Sequence, residues 1–243
     1  MEIRICENAQ ALGLSAAQQT AQALRECIQK QGYARIALST GASQFETLAA
    51  LVKQDVDWSK VEMFHLDEYV DLPITHPASF RKYLQERFVD QLPMPLKAVN
   101  FVDGTQEGIA ALTAEIRRLP IDIGLIGIGE NSHIAFNDPP ADFDTKEAYI
   151  VVDLDDRCKK QQMGEGWFPT LDSVPKQAVS LTVHQILSCK KVMSCVPHAV
   201  KSWAVCQALT QPVSNKYPAT ALRGHADWTL YIDRNSAAEV VKF

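Results

Sequence analysis

The sequence lacks the features that mark several large classes of protein. Its net charge is −5, so it offers no overall basic surface to nucleic acid or to an anionic membrane. No apolar run is long enough to cross a bilayer, and the first seven residues carry charges where a signal peptide needs an apolar core. The six cysteines never form a Cys-x-x-Cys pair, which favours reduced thiols. We therefore expect a cytoplasmic protein that binds neither nucleic acid nor membrane.

The 243 residues are 47% hydrophobic and can bury a large core, and no Pro/Gly/Ser-rich linker divides them. We expect one domain over residues 1–243. Strand-like and helix-like stretches alternate to the end, which is typical of an α/β fold with an open, mainly parallel sheet and helices on both faces. The predicted strands are 35–38, 61–66, 121–128, 191–196 and 228–232. The predicted helices are 16–29, 44–53, 106–118 and 199–209.

Ligands of such folds bind beyond the carboxyl ends of the strands, so the residues that follow each strand are the candidates. Five small residues lie between the first predicted strand of this group and the helix at 44–53. They are Ser39, Thr40, Gly41, Ala42 and Ser43. Backbone N–H groups, the helix dipole and hydroxyl donors at such a loop suit a phosphate. The alternative is an ordinary helix N-cap and turn.

The second strand ends in a histidine and two carboxylates, His65, Asp67 and Glu68. A carboxylate at a strand end can abstract a proton from a carbon next to a carbonyl. The alternative is that Asp67 or Glu68 caps the following segment and that His65 is a satisfied interior histidine. The spacing matches no recognised set of metal ligands, so we expect no metal.

The stretch 127–140 after the third strand is the most informative part of the sequence. His133 can shuttle protons to a sugar ring oxygen, with a nearby carboxylate to orient its ring. Gly127 and Gly129 suggest a dinucleotide-binding fingerprint, but the third glycine is missing. We therefore favour acid–base chemistry over a nucleotide cofactor.

Two basic features complete the set of candidates. Lys201 falls in the first turn of a predicted helix, where the dipole disfavours a cation unless a bound anion compensates it. The alternative for Lys201 is simple surface solvation. The cluster of Arg157, Lys159 and Lys160 is typical of a solvated helix face, although one member could reach a phosphate.

Taken together, these segments resemble the glucosamine-6-phosphate deaminase/isomerase family, which shares a Rossmann-like fold with the 6-phosphogluconolactonases. The resemblance extends in order along nearly the whole chain. It covers 39–43, 66–73, 76–80, 127–139, 174–182 and Lys201. The deaminase run Gly-His-Ile-Ala-Phe-Asn-Glu-Pro appears here as residues 132–139, where a lactonase would show an Asp-Gly-His-Thr-Ala-Ser type of run. The deaminase branch is therefore the closer one.

The resemblance implies conversion of glucosamine 6-phosphate, or its galactosamine epimer, to a ketose 6-phosphate and ammonia, without a metal or organic cofactor. It assigns Asp67 as the base that moves a proton between C2 and C1, and His133 as the residue that opens the pyranose ring. The loop at 39–43, with Lys201, corresponds to the phosphate cradle. Glu68 and Arg157 complete the expected substrate-binding set.

The sequence also departs from this family. Asn131 stands where the deaminases have Asp, and Asp138 stands in place of their Glu, so we expect weaker carboxylate support for His133. Both residues still belong to the expected catalytic set. A family arginine near the phosphate aligns with Gln162, so Arg157 or Lys159 would have to replace it. The loop 140–143 lacks the serines of an allosteric site, and we expect no such allostery.

Segment 161–169 looks unlike the best-known deaminases and is Gly-broken, with Trp and Phe, as a lid or substrate-facing loop would be. The alternative is a packed surface excursion. Two other functions stay open at this point: a sugar-phosphate lactonase, and a non-catalytic sugar-phosphate sensor. The absence of an N-terminal helix-turn-helix or basic segment disfavours the sensor. The sequence leaves the oligomeric state open, with a homo-oligomer among the options.

Overall fold

The computed structural model describes residues 1–164 and 166–241, apart from the side chains of Arg157 and Gln161. In this part of the chain the strands are Glu2–Cys6 (β1), Ala34–Leu38 (β2), Val61–His65 (β3), Asp67–Tyr69 (β4), Ala98–Asn100 (β5), Ile123–Leu125 (β6), Tyr149–Asp153 (β7), Gln177–Leu181 (β8), Lys191–Val196 (β9) and Trp228–Asp233 (β10). The α-helices are Ala9–Gln31 (α1), Phe45–Leu51 (α2), Phe80–Arg87 (α3), Gln106–Arg118 (α4), Asp156–Gly164 (α5), Val183–Leu187 (α6) and Ser202–Thr210 (α7).

The central sheet contains seven parallel strands in the order β1-β10-β9-β6-β2-β3-β5. Leu38 at the end of β2 pairs with Leu125 of β6 on one side and with His65 of β3 on the other. Because parallel strands share one direction, the loops after these three strands leave the sheet at the same edge. The candidate residues that follow them are thereby brought to one place.

Helices cover both faces of this sheet, as the sequence predicts. Successive residues of β10 point to opposite sides: Leu230 packs in one core cluster with Ala204 and Val205 of α7, whereas Tyr231 packs in another with Leu12 of α1. Both faces of the central strands are therefore buried, which explains why β2 and β3 are buried at every position and have no alternating exposed face.

A second, three-stranded antiparallel sheet has the order β4-β8-β7. Only Leu66 separates the end of β3 from the start of β4, so the chain passes directly from the central sheet into the small one. Asp67 pairs with Ser180 and Tyr69 pairs with Ala178. The sequence did not predict this sheet, because β4 is three residues long and its partners lie more than 80 residues further along the chain.

Element boundaries differ from the prediction where local hydrogen bonds decide them. α1 begins at Ala9 rather than at 16, because the side chain of Asn8 accepts a hydrogen bond from Ala11 N at 2.9 Å and caps it. The strand predicted over 121–128 pairs only over Ile123–Leu125. The predicted helices 44–53 and 199–209 each follow a short 3₁₀ turn, Ala42–Gln44 and Ala199–Lys201.

Several elements have no counterpart in the sequence prediction: β1, β4, β5, β7, β8, α3, α5 and α6. Among the described residues, no helix combines the length and the apolar character that a membrane span requires.

Candidate active site

A cleft with about 590 Å³ of empty space opens beyond the carboxyl ends of β2 and β6. Its lining residues are Ser39, Thr40, Gly41, Ala42, Ser43, Gln44, Asp67, Phe80, Gly127, Ile128, Gly129, His133, Ala135, Phe136, Gln162 and Lys201. The structure thus brings together the small-residue loop, the strand-end carboxylate Asp67, His133 and Lys201, although they come from four separate parts of the chain. Asn131 and Asp138 lie behind His133, and the side chain of Arg157 lies outside the described residues.

The loop that carries Ser39 to Ser43 is held in place by hydrogen bonds to two other segments. Ser39 Oγ accepts a hydrogen bond from Gly127 N at 3.1 Å, which ties the loop after β2 to the loop after β6. The hydroxyl of Tyr83 donates to Gly41 O at 2.9 Å. Gly41 has a φ of +96°, a conformation that favours glycine. These contacts hold the loop in one conformation, so its N–H and hydroxyl groups have fixed positions, as an anion site requires.

Lys201 is buried rather than solvated, with an exposed fraction of 6%. It ends the 3₁₀ turn that follows His198, whose φ of +80° directs the chain from β9 toward the cleft. Burial of an ammonium group is costly without a compensating anion. The surface-solvation alternative is therefore wrong. Lys201 lines the same cleft as the small-residue loop.

Asp67 lines the cleft and is 6% exposed. Burial raises the pKa of its carboxyl to about 8, and the neighbouring charge of Glu68 adds to the effect. No hydrogen bond from another described residue stabilises the ionised form. A carboxylate with so high a pKa is a strong base once it has lost its proton, which suits removal of a proton from carbon.

The structure does not bring Glu68 to the cleft. Its carboxylate accepts hydrogen bonds from Ser79 Oγ at 2.8 Å and from Arg81 N at 2.9 Å, and it forms an ion pair with Arg81 at 3.2 Å. Glu68 thereby holds the first turn of α3, which is the capping alternative. The alternation of side chains along β4 is the physical reason, since residues 67 and 68 face opposite sides of the strand.

His133 is supported by both Asp138 and Asn131. Its Nδ1 lies 3.1 Å from Asp138 Oδ1 and 2.6 Å from Asn131 Oδ1, so two acceptors place the ring proton on Nδ1. Asn131 Nδ2 also donates to Asp138 Oδ1 at 2.9 Å. Burial tends to raise the pKa of Asp138, but the hydrogen bonds and charge of its partners outweigh burial and lower it. Asp138 thus reaches the imidazole directly despite its shorter side chain, so His133 has one carboxylate partner and one amide partner.

Gly129 makes room for the imidazole of His133. A Cβ atom at residue 129 would lie 2.1 Å from Cε1 of the ring, so any other amino acid would displace it. Ser132 and Ala135, on either side of the histidine segment, have positive φ values of +73° and +49°. Such strain in non-glycine residues is typical of functional turns, where surrounding contacts hold the backbone in place.

The sequence prediction missed several cleft residues. Gln44 lay inside a predicted helix, yet its side chain donates to Cys195 O at 3.0 Å and helps to join the loop to β9. Phe80 and Phe136 stack 5.7 Å apart and form an apolar wall. Their only sequence signal was their position within the segments that carried the family resemblance. The sequence marks Gln162 only as the place of a missing family arginine.

Two further candidates are interior residues. His65 is fully buried, and burial followed by the charge of Arg81 lowers its pKa to about 3. It is interior, but neither ring nitrogen has a hydrogen-bond partner among the described residues, so it is not the satisfied histidine of the alternative.

In segment 161–169, Phe168 packs edge-on against Tyr69, with ring centres 5.3 Å apart. The packed-excursion alternative fits Phe168, whereas Gln162 faces the cleft.

The fold and the cleft define an α/β protein that can bind a small anionic ligand and move protons on it. Within that class, the chain belongs to the family described as glucosamine-6-phosphate isomerases/6-phosphogluconolactonase, which matches residues 7–231. The resemblance that the sequence motifs indicated is thereby confirmed.

Relatives include the glucosamine-6-phosphate deaminase of Staphylococcus epidermidis, 33% identical over 222 residues, or 87% of this chain and 90% of the relative. Glucosamine-6-phosphate deaminase 1 of Bacillus subtilis is 30% identical and covers 98% of this chain and 99% of its own. The solved structure of a monomeric glucosamine-6-phosphate deaminase has a TM-score of 0.90 at 29% identity, covering 98% of this chain and all of its own. The 6-phosphogluconolactonase of Trypanosoma brucei has a TM-score of 0.78 at 19% identity, covering 99% and 98%, and shares the fold.

Proposed function

We propose that this chain is an amino-sugar-phosphate deaminase/isomerase that converts glucosamine 6-phosphate, or its galactosamine epimer, with water to a ketose 6-phosphate and ammonia. The observation that carries the proposal is the meeting of Asp67 and His133 in one cleft with the 39–43 loop and Lys201. The names of the relatives at about 30% identity over most of the chain support the same reaction.

Binding would begin at the phosphate. The hydroxyl and N–H groups of the 39–43 loop suit a phosphoryl group, and the buried ammonium of Lys201 supplies the opposite charge. The apolar surface of Phe80 and Phe136 suits the C–H face of a sugar. The phosphate then anchors the substrate while the reacting carbons lie at the acid–base groups.

His133 would open the pyranose ring. With its proton on Nδ1 shared between Asp138 and Asn131, Nε2 is the nitrogen available to take the proton of the C1 hydroxyl and return it to the ring oxygen. The negative charge of Asp138 stabilises the imidazolium that exists between these two transfers. The product is an open-chain aldehyde at C1 with the amino group on C2.

Asp67 would then move the proton. In its ionised form it takes the proton from C2, while the C1 carbonyl oxygen takes a proton from the substrate's C2 ammonium group, which leaves an enol-amine between C1 and C2. Asp67 then returns its proton to C1, which leaves an iminium group at C2. The iminium group formed at C2 adds water and expels ammonia, giving the ketone. Asp67 thus carries one carbon-bound proton from C2 to C1, one water molecule supplies the ketone oxygen and the protons that leave with ammonia, and no oxidant is needed.

The direct test is to follow ammonia release and ketose 6-phosphate formation with glucosamine 6-phosphate and with galactosamine 6-phosphate. Turnover of either one, lost in Asp67→Asn, supports the proposal. No turnover of either substrate would refute it. Hydrolysis of 6-phosphogluconolactone in the same assay would identify a lactonase instead. Tight sugar-phosphate binding without turnover, unchanged in Asp67→Asn, would identify a sensor.

We also propose that the enzyme works in the cytoplasm, as the cysteine pattern predicts. All six cysteines lie within the described residues and are free thiols in the structure, which supports a reducing compartment. Fractionation of the cells that express the chain, with activity measured in each fraction, tests this location.

A further inference from the structure

Gln162 carries a buried side-chain amide whose oxygen is hydrogen-bonded within the protein and whose nitrogen is available at the cleft. It lies on α5 with an exposed fraction of 5%. Its Oε1 accepts a hydrogen bond from the hydroxyl of Tyr69 at 2.8 Å. No described residue accepts a hydrogen bond from Nε2, and the side chain lines the cleft. Tyr69 therefore orients the amide so that two N–H donors are available to a ligand.

The cleft has two walls that come from different parts of the fold. The first consists of the 39–43 loop after β2 and Lys201 after β9, so it belongs to the central sheet. The second consists of Asp67 on β4, Phe80 at the start of α3 and Gln162 on α5. The first wall carries the buried cation, and the second carries the carbon base and an aromatic surface.

Gln162 belongs to the second wall because Tyr69, which holds its side chain, lies on β4 in that wall. Tyr69 and Asp67 are two residues apart on β4, so their side chains leave the strand on the same side. Burial raises the pKa of the thiol of Cys158, which lies one turn before Gln162 on α5, and the nearby charges of Asp138 and Asp67 add to the effect. This face of α5 therefore covers the acid–base groups.

We propose that Gln162 contacts the sugar part of the substrate, donating hydrogen bonds from Nε2 to hydroxyl oxygens, and that it does not bind the phosphate. This inference rests on the proposed function and adds a specificity-determining residue to it. The role differs from that of a phosphate-binding arginine, although Gln162 occupies the position that the sequence comparison gives to one.

The chemistry of an amide fits this place better than that of a cation. A guanidinium beside Asp67 would favour the ionised carboxylate and lower its pKa from about 8, which would weaken the base. A neutral amide leaves the base unchanged and still offers two directed donors to sugar hydroxyls. Such contacts discriminate strongly between a sugar that offers a hydroxyl at this place and one that does not, because a buried donor left without an acceptor is costly.

The test compares sugar binding with phosphate binding in Gln162→Leu. We expect KM for the amino-sugar phosphate to rise about tenfold, as for the loss of one buried hydrogen bond, while the inhibition constant of inorganic phosphate stays unchanged. Lys201→Met should show the opposite pattern, with a large increase in the inhibition constant of phosphate. Gln177→Leu makes the same substitution at an exposed glutamine of β8 and should change neither constant.

Gln162→Glu guards against a loss of folding. Its carboxylate still accepts the hydrogen bond from Tyr69, but it cannot donate, and its charge disfavours ionisation of Asp67. We expect KM to rise and the apparent pKa in the kcat/KM profile to move upward, in a protein whose circular dichroism spectrum matches that of the wild type. A purely structural role of Gln162 would not move that pKa.

The inference is overturned if Gln162→Leu weakens the binding of inorganic phosphate as much as that of the substrate, or if KM for the substrate is unchanged. If the wild-type chain turns over neither epimer, the proposed function fails on its own. The Gln162 inference is then tested by calorimetry, which compares the binding of glucosamine 6-phosphate and of inorganic phosphate to the wild type and to Gln162→Leu. Equal losses for the two ligands, or no loss for either, would still overturn it.

Discussion

Asp67 is the most buried of the proposed acid–base groups, which also include His133 and Asp138. Its pKa of about 8 predicts that kcat/KM rises with pH and reaches a plateau above about pH 8, because only the ionised carboxylate can take the proton from C2. Initial rates at low substrate between pH 6 and 9.5 measure this profile. A rate that is already constant from pH 6 upward would contradict the prediction.

The same burial makes Asp67 a cost to stability at high pH. The folded chain keeps the proton up to about pH 8, whereas the unfolded chain loses it near the ordinary value of 3.8. Between these values the folded state binds more protons, so stability falls as pH rises from about 4 to about 8. We expect Asp67→Asn to be more stable than the wild type at pH 9, by an amount on the order of a few kcal/mol, and to lose turnover.

Urea unfolding of both proteins at pH 5 and pH 9 measures this effect. The difference between variant and wild type should be larger at pH 9 than at pH 5, since the penalty increases until Asp67 is fully ionised in both states. An equal difference at the two pH values would show that Asp67 is not buried as the structure describes.

His65 is expected to make the protein sensitive to acid. The folded chain binds no proton at this ring until about pH 3, whereas the unfolded chain binds one near 6.5, so stability is lost as pH falls below 6.5. His65→Phe keeps a ring against Phe101 and removes two unpartnered nitrogens. We expect equal or higher stability at pH 7.5, by about 1 kcal/mol, and a smaller loss at pH 5.

Urea unfolding at pH 7.5 and 5 tests the His65 prediction. His184→Phe is a suitable control, because His184 is only partly buried on the short helix α6. The prediction fails if His65→Phe loses as much stability between the two pH values as the wild type does.

At the scale of elements, the turn between β6 and His133 determines where the imidazole lies. Gly129→Ala would place a methyl group 2.1 Å from Cε1 of His133 and displace the ring from Asp138. We expect kcat to fall by about a hundredfold, as for a catalytic group moved by about 1 Å, with little change in phosphate inhibition. Gly164→Ala is the matched control, since a Cβ there meets nothing within 4 Å. Equal kcat values for the two variants would contradict the prediction.

The small sheet is the element on which the second wall of the cleft depends. β4 carries Asp67 toward the cleft and turns Glu68 away to hold the start of α3. A local pattern could indicate a strand end with two carboxylates, but it could not say which one faces the ligand. That choice follows from pairing of β4 with β8, over 100 residues later in the chain.

At the scale of the whole molecule, the long buried strands were the easiest to predict. The strands β2, β3, β9 and β10 are buried at nearly every position because both faces of the sheet are covered, so their sequences are mostly apolar and carry the signal. The edge strands β1 and β5 were missed because they are partly exposed and lack such a run. The helices α3, α5 and α6 are short and depend on packing and capping more than on a periodic pattern.

The sequence by itself determined the α/β class, the family and the residues after each strand that can carry acid–base chemistry, because these are recorded in local composition and order. The tertiary structure decided that Asp138 reaches His133, that Lys201 is buried and that Gln162 is held by Tyr69 at the cleft. Each of these depends on burial or on a distance across a turn or between segments far apart in the chain. Charge, direction and pKa follow from those surroundings, and no local pattern contains them.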